Sequence, residues 1–442
     1  MSPLDNTRLP KKVVLTGSDC FHLVLDRHAR NNRAGSNVMR IVFYFNSQLS
    51  LDKIKDSLGN SPLIHWLCNI RLRQGSLFGT AFWEYQDKGN GIILIEHHHP
   101  VSGEIPKSIL ERDIPLDEER FVNGDIIHYP FNKTVFVLSW NHILMDGRGI
   151  AMLIQHLSGM DKAKNRQEVN SFFPTQEKST GLFAHIRNMY RVKKFIETSS
   201  KNPIASVAGQ GQKEGKRDRS FHNRIIRFTP EETGRINRLA IRKGAKFGAN
   251  LYYLSCCIHA VNRLYQQKAK NGAQWIPVPY DGRLRGSKGP IITNTVAFLF
   301  YRVQGAEMGS IEQTIAALSS QMTSQIDSGM PQQYGLLLNM MRHIPIWLYY
   351  FLITKGRGGS VASFLYSSTG EGFNHIETFF GEPVVGLTIY PSPTFPPGLT
   401  FSFLKHQEAL NINIAYATGI IDTFEISDLE LGIKELLLDS NE

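Results

Sequence analysis

Cysteine is scarce in this chain: four among 442 residues, Cys20, Cys68 and the adjacent Cys256 and Cys257, with no C-x-x-C pair. That density excludes a disulfide framework and reads as buried thiols in a reducing compartment. A secretory signal is missing too, since residues 1–12 hold Pro, Asp, Asn and basic residues but no apolar core. A cytoplasmic location is therefore expected. No uninterrupted apolar run is long enough for a transmembrane helix, because the longest, Gly335 to Ile353, is broken by Arg342, His343 and Pro345. Its aromatic end, Ile346 to Phe351, reads first as core and second as a contact for a membrane surface or a lipidic substrate. There is no G-x-S-x-G elbow to carry a nucleophilic serine. The glycine-rich stretch Arg357-Gly358-Gly359 lacks the G-K-[S/T] ending of a phosphate-binding loop. His97-His98-His99 falls in an extended run, where successive side chains point to opposite faces, so no metal site is expected there.

What remains is ordinary globular material, 42% hydrophobic and 20% charged. Length suggests two large units: residues 1–175, a basic crossover over 176–222, and 223–442. The formal charge is +10 and is strongly localised. Between Phe183 and Arg227 there are 11 Lys and Arg against 3 acidic residues, a local excess of +8. Such a segment either attracts an anionic partner or is a solvated linker. Nucleic acid is disfavoured because no recognised nucleic-acid module accompanies the charge.

The first 160 residues alternate strands and helices. Val38 to Phe45 is a β-branched and aromatic run ending at Asn46, hence a strand. Helices are expected over Leu51 to Leu58 and Pro62 to Arg71, and a strand over Gly91 to Glu96. Thr134 to Trp140 is almost continuously apolar, as a central strand covered on both faces should be. Past the linker, Thr229-Pro230-Glu231-Glu232 is a capping box with Pro at the first helical position. Asn250 is the expected N-cap of the next helix. Strands are expected over 275–280, 294–303, 363–368, 384–390, 399–405 and 410–416, and a closing helix over 426–438.

The sharpest local feature follows the central strand: Asn141-His142-Ile143-Leu144-Met145-Asp146-Gly147-Arg148-Gly149. A strand-to-loop-to-helix transition puts His142 where a rigid support presents reactive groups. Asp146 can fix the loop by pairing with a cation, and the glycines permit sharp turns and close packing. Taken alone, a His beside an Asp is more often structural than catalytic.

His142-x-x-x-Asp146-Gly147 resembles the active-site signature of the chloramphenicol acetyltransferase-like superfamily, which includes condensation domains, BAHD acyltransferases, wax-ester synthases and polyketide-associated acyltransferases. Other stretches resemble it in order and spacing. Gly17-Ser18-Asp19 followed by a strand is similar to its N-terminal opening, and Pro279-Tyr280-Asp281-Gly282-Arg283 to its Pro-x-Asp-x-Arg strand end. Ser367-Ser368-Thr369-Gly370 is similar to its Ser-Asn-x-Gly stretch, and Pro397-Gly398-Leu399 to the Pro-Gly-Leu before its final hairpin. Two departures stand out. Asn141 occupies the position where many condensation domains and wax-ester synthases carry a second His, and the BAHD Asp-Phe-Gly-Trp-Gly element is absent, Phe379-Phe380-Gly381-Glu382 being a faint echo.

The resemblance implies an α/β fold of two chloramphenicol acetyltransferase-like lobes, with a central tunnel at their interface and His142 in it. It implies catalytic His142, Asp146 and Gly147 and an Asp146–Arg283 ion pair with Arg285 as competitor. Ser368 stands where the family has Asn, and its hydroxyl is either a polar stabiliser, a part Ser367 or Thr369 could take instead, or an edge-strand serine with no role. The chemistry follows from the residue types. A neutral imidazole takes a proton from a hydroxyl or amine acceptor, which then attacks an acyl thioester without a covalent acyl-enzyme. The expected enzyme is an acyltransferase that binds no cofactor or metal and takes acyl-CoA or a phosphopantetheinyl carrier protein as co-substrate. The alternative is a non-catalytic scaffold that binds an acylated carrier protein or lipid. Lys213, Lys216, Arg217 and Arg219 are the expected donor-binding cations. An acidic carrier protein and a peripheral membrane contact are the further partners considered, with a monomer expected.

Overall fold

The computed structural model describes residues 9–75, 79–159, 169–175, 182–201, 203–208, 219–284, 286–354 and 360–439. It is a mixed α/β molecule. One five-stranded sheet runs in the order Gly386–Tyr390, Val38–Phe45, Lys133–Asn141, Val122–Tyr129, Ile93–His98. Its last pair is parallel and the rest are antiparallel. The near-continuous apolar strand Lys133–Asn141 lies at its centre, with every residue from Thr134 onward buried. A four-stranded sheet orders Leu365–Ser368, Leu399–His406, Ala409–Ala417 and Phe221–Arg227, and Gln274–Asp281 pairs separately with Val296–Val303.

Two main hydrophobic cores form. The first gathers Phe43, Leu138, Trp140 and Leu153 with Phe373, Phe379 and Leu387. The second gathers Ile258, Val261 and Tyr301 with Phe401, Ile412 and Ile433. Chain order and core membership part company at Gly386–Tyr390, which adds to the first sheet through Ile389 opposite Ile41. The amides of Asn411 and Asn413 reach across to the carbonyls of Leu387 and Ile389, tying the two sheets together. A smaller third core packs Val24, Trp275, Tyr334, Leu338 and Tyr349 between the helices Gly17–Asn31, Met330–Met341 and Ile346–Thr354.

Several sequence expectations change here. Gly17-Ser18-Asp19 opens a helix, Gly17–Asn31, with a Thr16/Asp19 capping box, before any strand follows. At Gly17 a Cβ would sit 2.2 Å from the Leu338 carbonyl carbon, so only glycine admits the helix Met330–Met341 at this distance. Asn250 is not the N-cap of its helix. Ala249 holds that position, and Asn250 Oδ1 accepts instead from the Tyr366 hydroxyl at 2.6 Å. The capping box at Thr229 and Glu232 forms on Pro230–Arg242. The aromatic run Ile346 to Phe351 is only partly in the core: Tyr349 is buried, whereas Trp347 and Phe351 are exposed.

Candidate active site

The central strand ends at Asn141, whose side chain builds the turn. Its Oδ1 accepts from the Ile143 amide at 3.1 Å, and its Nδ2 donates to the Ile114 carbonyl at 3.3 Å. The His142 amide donates to the Asn37 carbonyl at 2.8 Å, and the Trp140 indole reaches the Met145 carbonyl at 3.1 Å. His142 is therefore held on a backbone that is hydrogen-bonded on both sides of it. The helix Gly147–Gly159 starts immediately after the loop.

Asp146 joins this loop to the second half of the chain. Its Oδ1 accepts from the Gly149 amide at 2.7 Å, as an N-cap side chain does, and Oδ2 accepts from the Thr295 amide at 2.8 Å. Arg283 Nη1 lies 2.9 Å from Oδ2, with the two side chains 2% and 6% exposed. The guanidinium also donates to the carbonyls of Pro290 and Thr293 and to Asp281. Burial opposes its charge, and Asp146 and Asp281 outweigh that cost, raising it above the usual arginine value. The competitor Arg285 lies outside the described residues. The close packing expected of Gly147 falls to Gly149, where a Cβ would come 2.7 Å from the Ile291 carbonyl oxygen. At Gly147 a Cβ would meet only the Thr369 methyl, at an ordinary 3.8 Å. That contact brings the 367–370 stretch against the His142 motif through Thr369. Ser368 is half-buried, and its hydroxyl accepts from the Gly370 amide at 3.4 Å.

The other side of the loop rests on residues that sequence reasoning did not assign to the site. His22, on the helix Gly17–Asn31, stacks on His142 with ring centroids 4.0 Å apart and planes 18° from parallel. Asn37 donates to the His22 carbonyl at 3.1 Å while its own carbonyl holds the His142 amide. Asn294 Nδ2 donates to the carbonyls of His142 and Ile143, each at 3.0 Å, and to Asp19 Oδ1 at the same distance. Asp19 accepts as well from the amides of Asn294 and Thr16 and from both nearby threonine hydroxyls. Burial pushes its carboxyl up to about 6, with the bonds from Asn294 and Thr16 holding it back.

Burial lowers the pKa of His142, opposed by its own carbonyl, Asp146 and the Asn294 side chain. Burial likewise drives His22 well below the ordinary histidine value, reinforced by the neighbouring His142. The imidazole at the strand end is thus neutral near pH 7, the state a proton acceptor requires. A signal for the missed residues exists in the sequence. Asp19, His22 and Asp26 recur at three- and four-residue spacing, so a polar stripe runs along a helix face, and in the fold that stripe is buried.

The remaining sequence candidates lie elsewhere. Lys213, Lys216 and Arg217 fall outside the described residues, and the Arg219 guanidinium sits 3.8 Å over the Phe395 ring. The three adjacent histidines take separate partners: His97 meets Asp125, His98 stacks on His128, and His99 meets the Val101 backbone. Among the described residues no group of three or more His, Cys, Asp or Glu is arranged to hold a metal ion.

No family model and no curated protein matches the sequence. Solved structures do match, along nearly the whole chain. The first condensation domain of the CDA synthetase superposes with a TM-score of 0.66 at 14% identity, covering 97% of this chain and 96% of that one. The chain has the condensation-domain fold. The trichothecene 15-O-acetyltransferase of Fusarium sporotrichioides shares it, with a TM-score of 0.68 at 13% identity over 97% and 95% of the two chains. So does polyketide synthase associated protein 5 of Mycobacterium tuberculosis, at 0.63 and 13% over 97% and 99%. Within this condensation-type fold, His142 marks the point where the central strand of the first sheet meets the 281–295 segment of the second half.

Proposed function

We propose that the protein is an acyltransferase in which His142 is the general base, moving an acyl group from a CoA or carrier-protein thioester to a hydroxyl or amine. One observation carries this reading: a neutral imidazole stands at the end of a buried strand, its backbone clamped by Asn37 and Asn294 and its loop pinned by Asp146 and Arg283. The shared fold of an acetyltransferase and a condensation domain supports the same reaction class. In the proposed step the imidazole takes the proton of the acceptor O–H or N–H as the heteroatom attacks the thioester carbonyl carbon. The tetrahedral oxyanion collapses, the C–S bond breaks, and the imidazolium returns its proton to the departing thiolate. No acyl-enzyme forms. Asp146 acts through position, because both of its oxygens are occupied by Arg283 and backbone amides.

The test is a panel of acyl-CoAs of graded chain length with candidate alcohols and amines, read by release of free thiol. Acceptor-dependent release is expected with at least one pair. Binding of acyl thioesters without release under any pairing would favour the scaffold reading instead.

A further inference from the structure

Two histidines meet face to face at the end of the central strand, and the proposed reaction uses only one of them. The rings of His22 and His142 lie 4.0 Å apart and 18° from parallel, with His22 buried. The helix that carries His22, Gly17–Asn31, supports the base at several points. Asp19 reaches the His142 carbonyl through Asn294. Asp26 Oδ1 accepts from the Asn37 amide at 3.0 Å, and the Asn37 carbonyl in turn holds the His142 amide. His22 lies between these two on the same helix face, three residues after one and four before the other, and it covers the imidazole itself.

The protonation state of His22 follows from its neighbour. The side-chain nitrogen of Asn37 can only donate, and it lies 3.1 Å from the His22 carbonyl oxygen and 3.4 Å from His22 Nδ1. Nδ1 is therefore an acceptor, the ring proton sits on Nε2, and the ring is neutral. A second proton would set one donor against another. Burial and the neighbouring His142 act in the same direction.

Among the described residues no carboxylate is bonded to the His142 ring. Asp146 is taken up by Arg283, Gly149 and Thr295, Asp19 by Thr16, Thr293 and Asn294, and Asp26 by Arg30 and Asn37. Behind the helix, Arg342 turns to the Leu15 carbonyl, and burial pushes the Cys20 thiol up to about 12, so it is uncharged. The imidazole thus lacks the carboxylate that steadies the histidine of a catalytic triad. What it has is the flat, neutral face of His22. A stacked aromatic face resists rotation out of the shared plane and attracts a cation formed on its partner.

We propose that His22 is a positioning residue for the base: its face holds the His142 ring in its working plane and favours the imidazolium that forms there when the acceptor's proton is taken. The inference rests on the acyl-transfer reading, but half of its test needs no turnover.

The full chain, labelled at histidine Cε1, is followed by NMR from about pH 4.5 to 8, with both rings assigned from the His22→Leu and His142→Ala variants. In wild type His142 should titrate while His22 stays neutral. His22→Leu, apolar but not aromatic, should lower the proton affinity of His142 at least ~3-fold. Its kcat for thiol release should fall at least ~10-fold, with KM for donor and acceptor unchanged within about twofold. His22→Phe keeps an aromatic face and should recover most of both losses. A merely structural role would lower the thermal midpoint and leave the His142 titration in place. An unchanged His142 titration and kcat in folded His22→Leu protein would overturn the proposal. So would protonation of His22 ahead of His142 in wild type, which is readable whether or not the leucine variant folds. If wild type releases no thiol with any acyl-CoA and acceptor pair, the acyl-transfer reading fails, and the NMR comparison still decides whether His22 governs the proton on His142.

Discussion

The two carboxylates that hold the His142 loop, Asp146 and Asp19, are both buried but are satisfied by different means. Asp146 faces the Arg283 guanidinium and two backbone amides, so its charge is met by a charge. Asp19 faces only neutral donors from Thr16, Thr293 and Asn294, and burial raises its carboxyl to about 6. The difference teaches how one loop is fixed from two directions. The Asp146 side is an electrostatic anchor between the halves of the chain, and the Asp19 side is a hydrogen-bond relay that reaches the His142 carbonyl through one asparagine.

The sharpest way to break the comparison is to remove the cation. Arg283→Ala leaves Asp146 buried without its partner and should cost about 3–5 kcal/mol of stability by chemical denaturation. Asp146→Asn and Arg283→Ala should be strongly non-additive in a double-mutant cycle, because each destroys the same pair. Additive losses would mean that the two groups do not work as a unit.

Removing the charge at Asp19 is the gentler test. Asp19→Asn puts an amide group among donors and should cost about 1–3 kcal/mol. The pH dependence has a definite sign. A carboxyl raised from 3.8 to about 6 binds a proton more readily in the folded state, so its contribution is fully present below pH 3.8 and is lost as pH rises through about 6. The difference in thermal midpoint between wild type and Asp19→Asn should therefore be larger at pH 5 than at pH 7.5. A difference independent of pH would show that Asp19 titrates like an exposed carboxylate.

The same contrast explains what was legible in the sequence. The strand Lys133–Asn141 was readable because a stretch covered on both faces is apolar throughout, and the helix Pro230–Arg242 because its capping box is a local signal. Asp146 and Arg283 could be paired only through resemblance, since 137 residues separate them. The helix Gly17–Asn31 was missed for a physical reason. Its buried face carries Asp19, His22 and Asp26, so the hydrophobic period that marks a helix is interrupted where it supports the site. Asn250 misled in the same way: a good capping residue was taken by Tyr366, a partner more than a hundred residues away. The aromatic run at 346–351 was read by composition, which does not tell an inward face from an outward one.

The account rests on His142 acting as a base held neutral by burial. The measurement that tests it most directly is the pH profile of acceptor-dependent thiol release by wild type beside His142→Ala. Wild type should keep its activity into mildly acidic buffer, with an acid limb centred below the ordinary histidine value of 6.5, and the alanine variant should lose at least ~100-fold in kcat with its thermal midpoint little changed. Full turnover by a folded His142→Ala protein would contradict it.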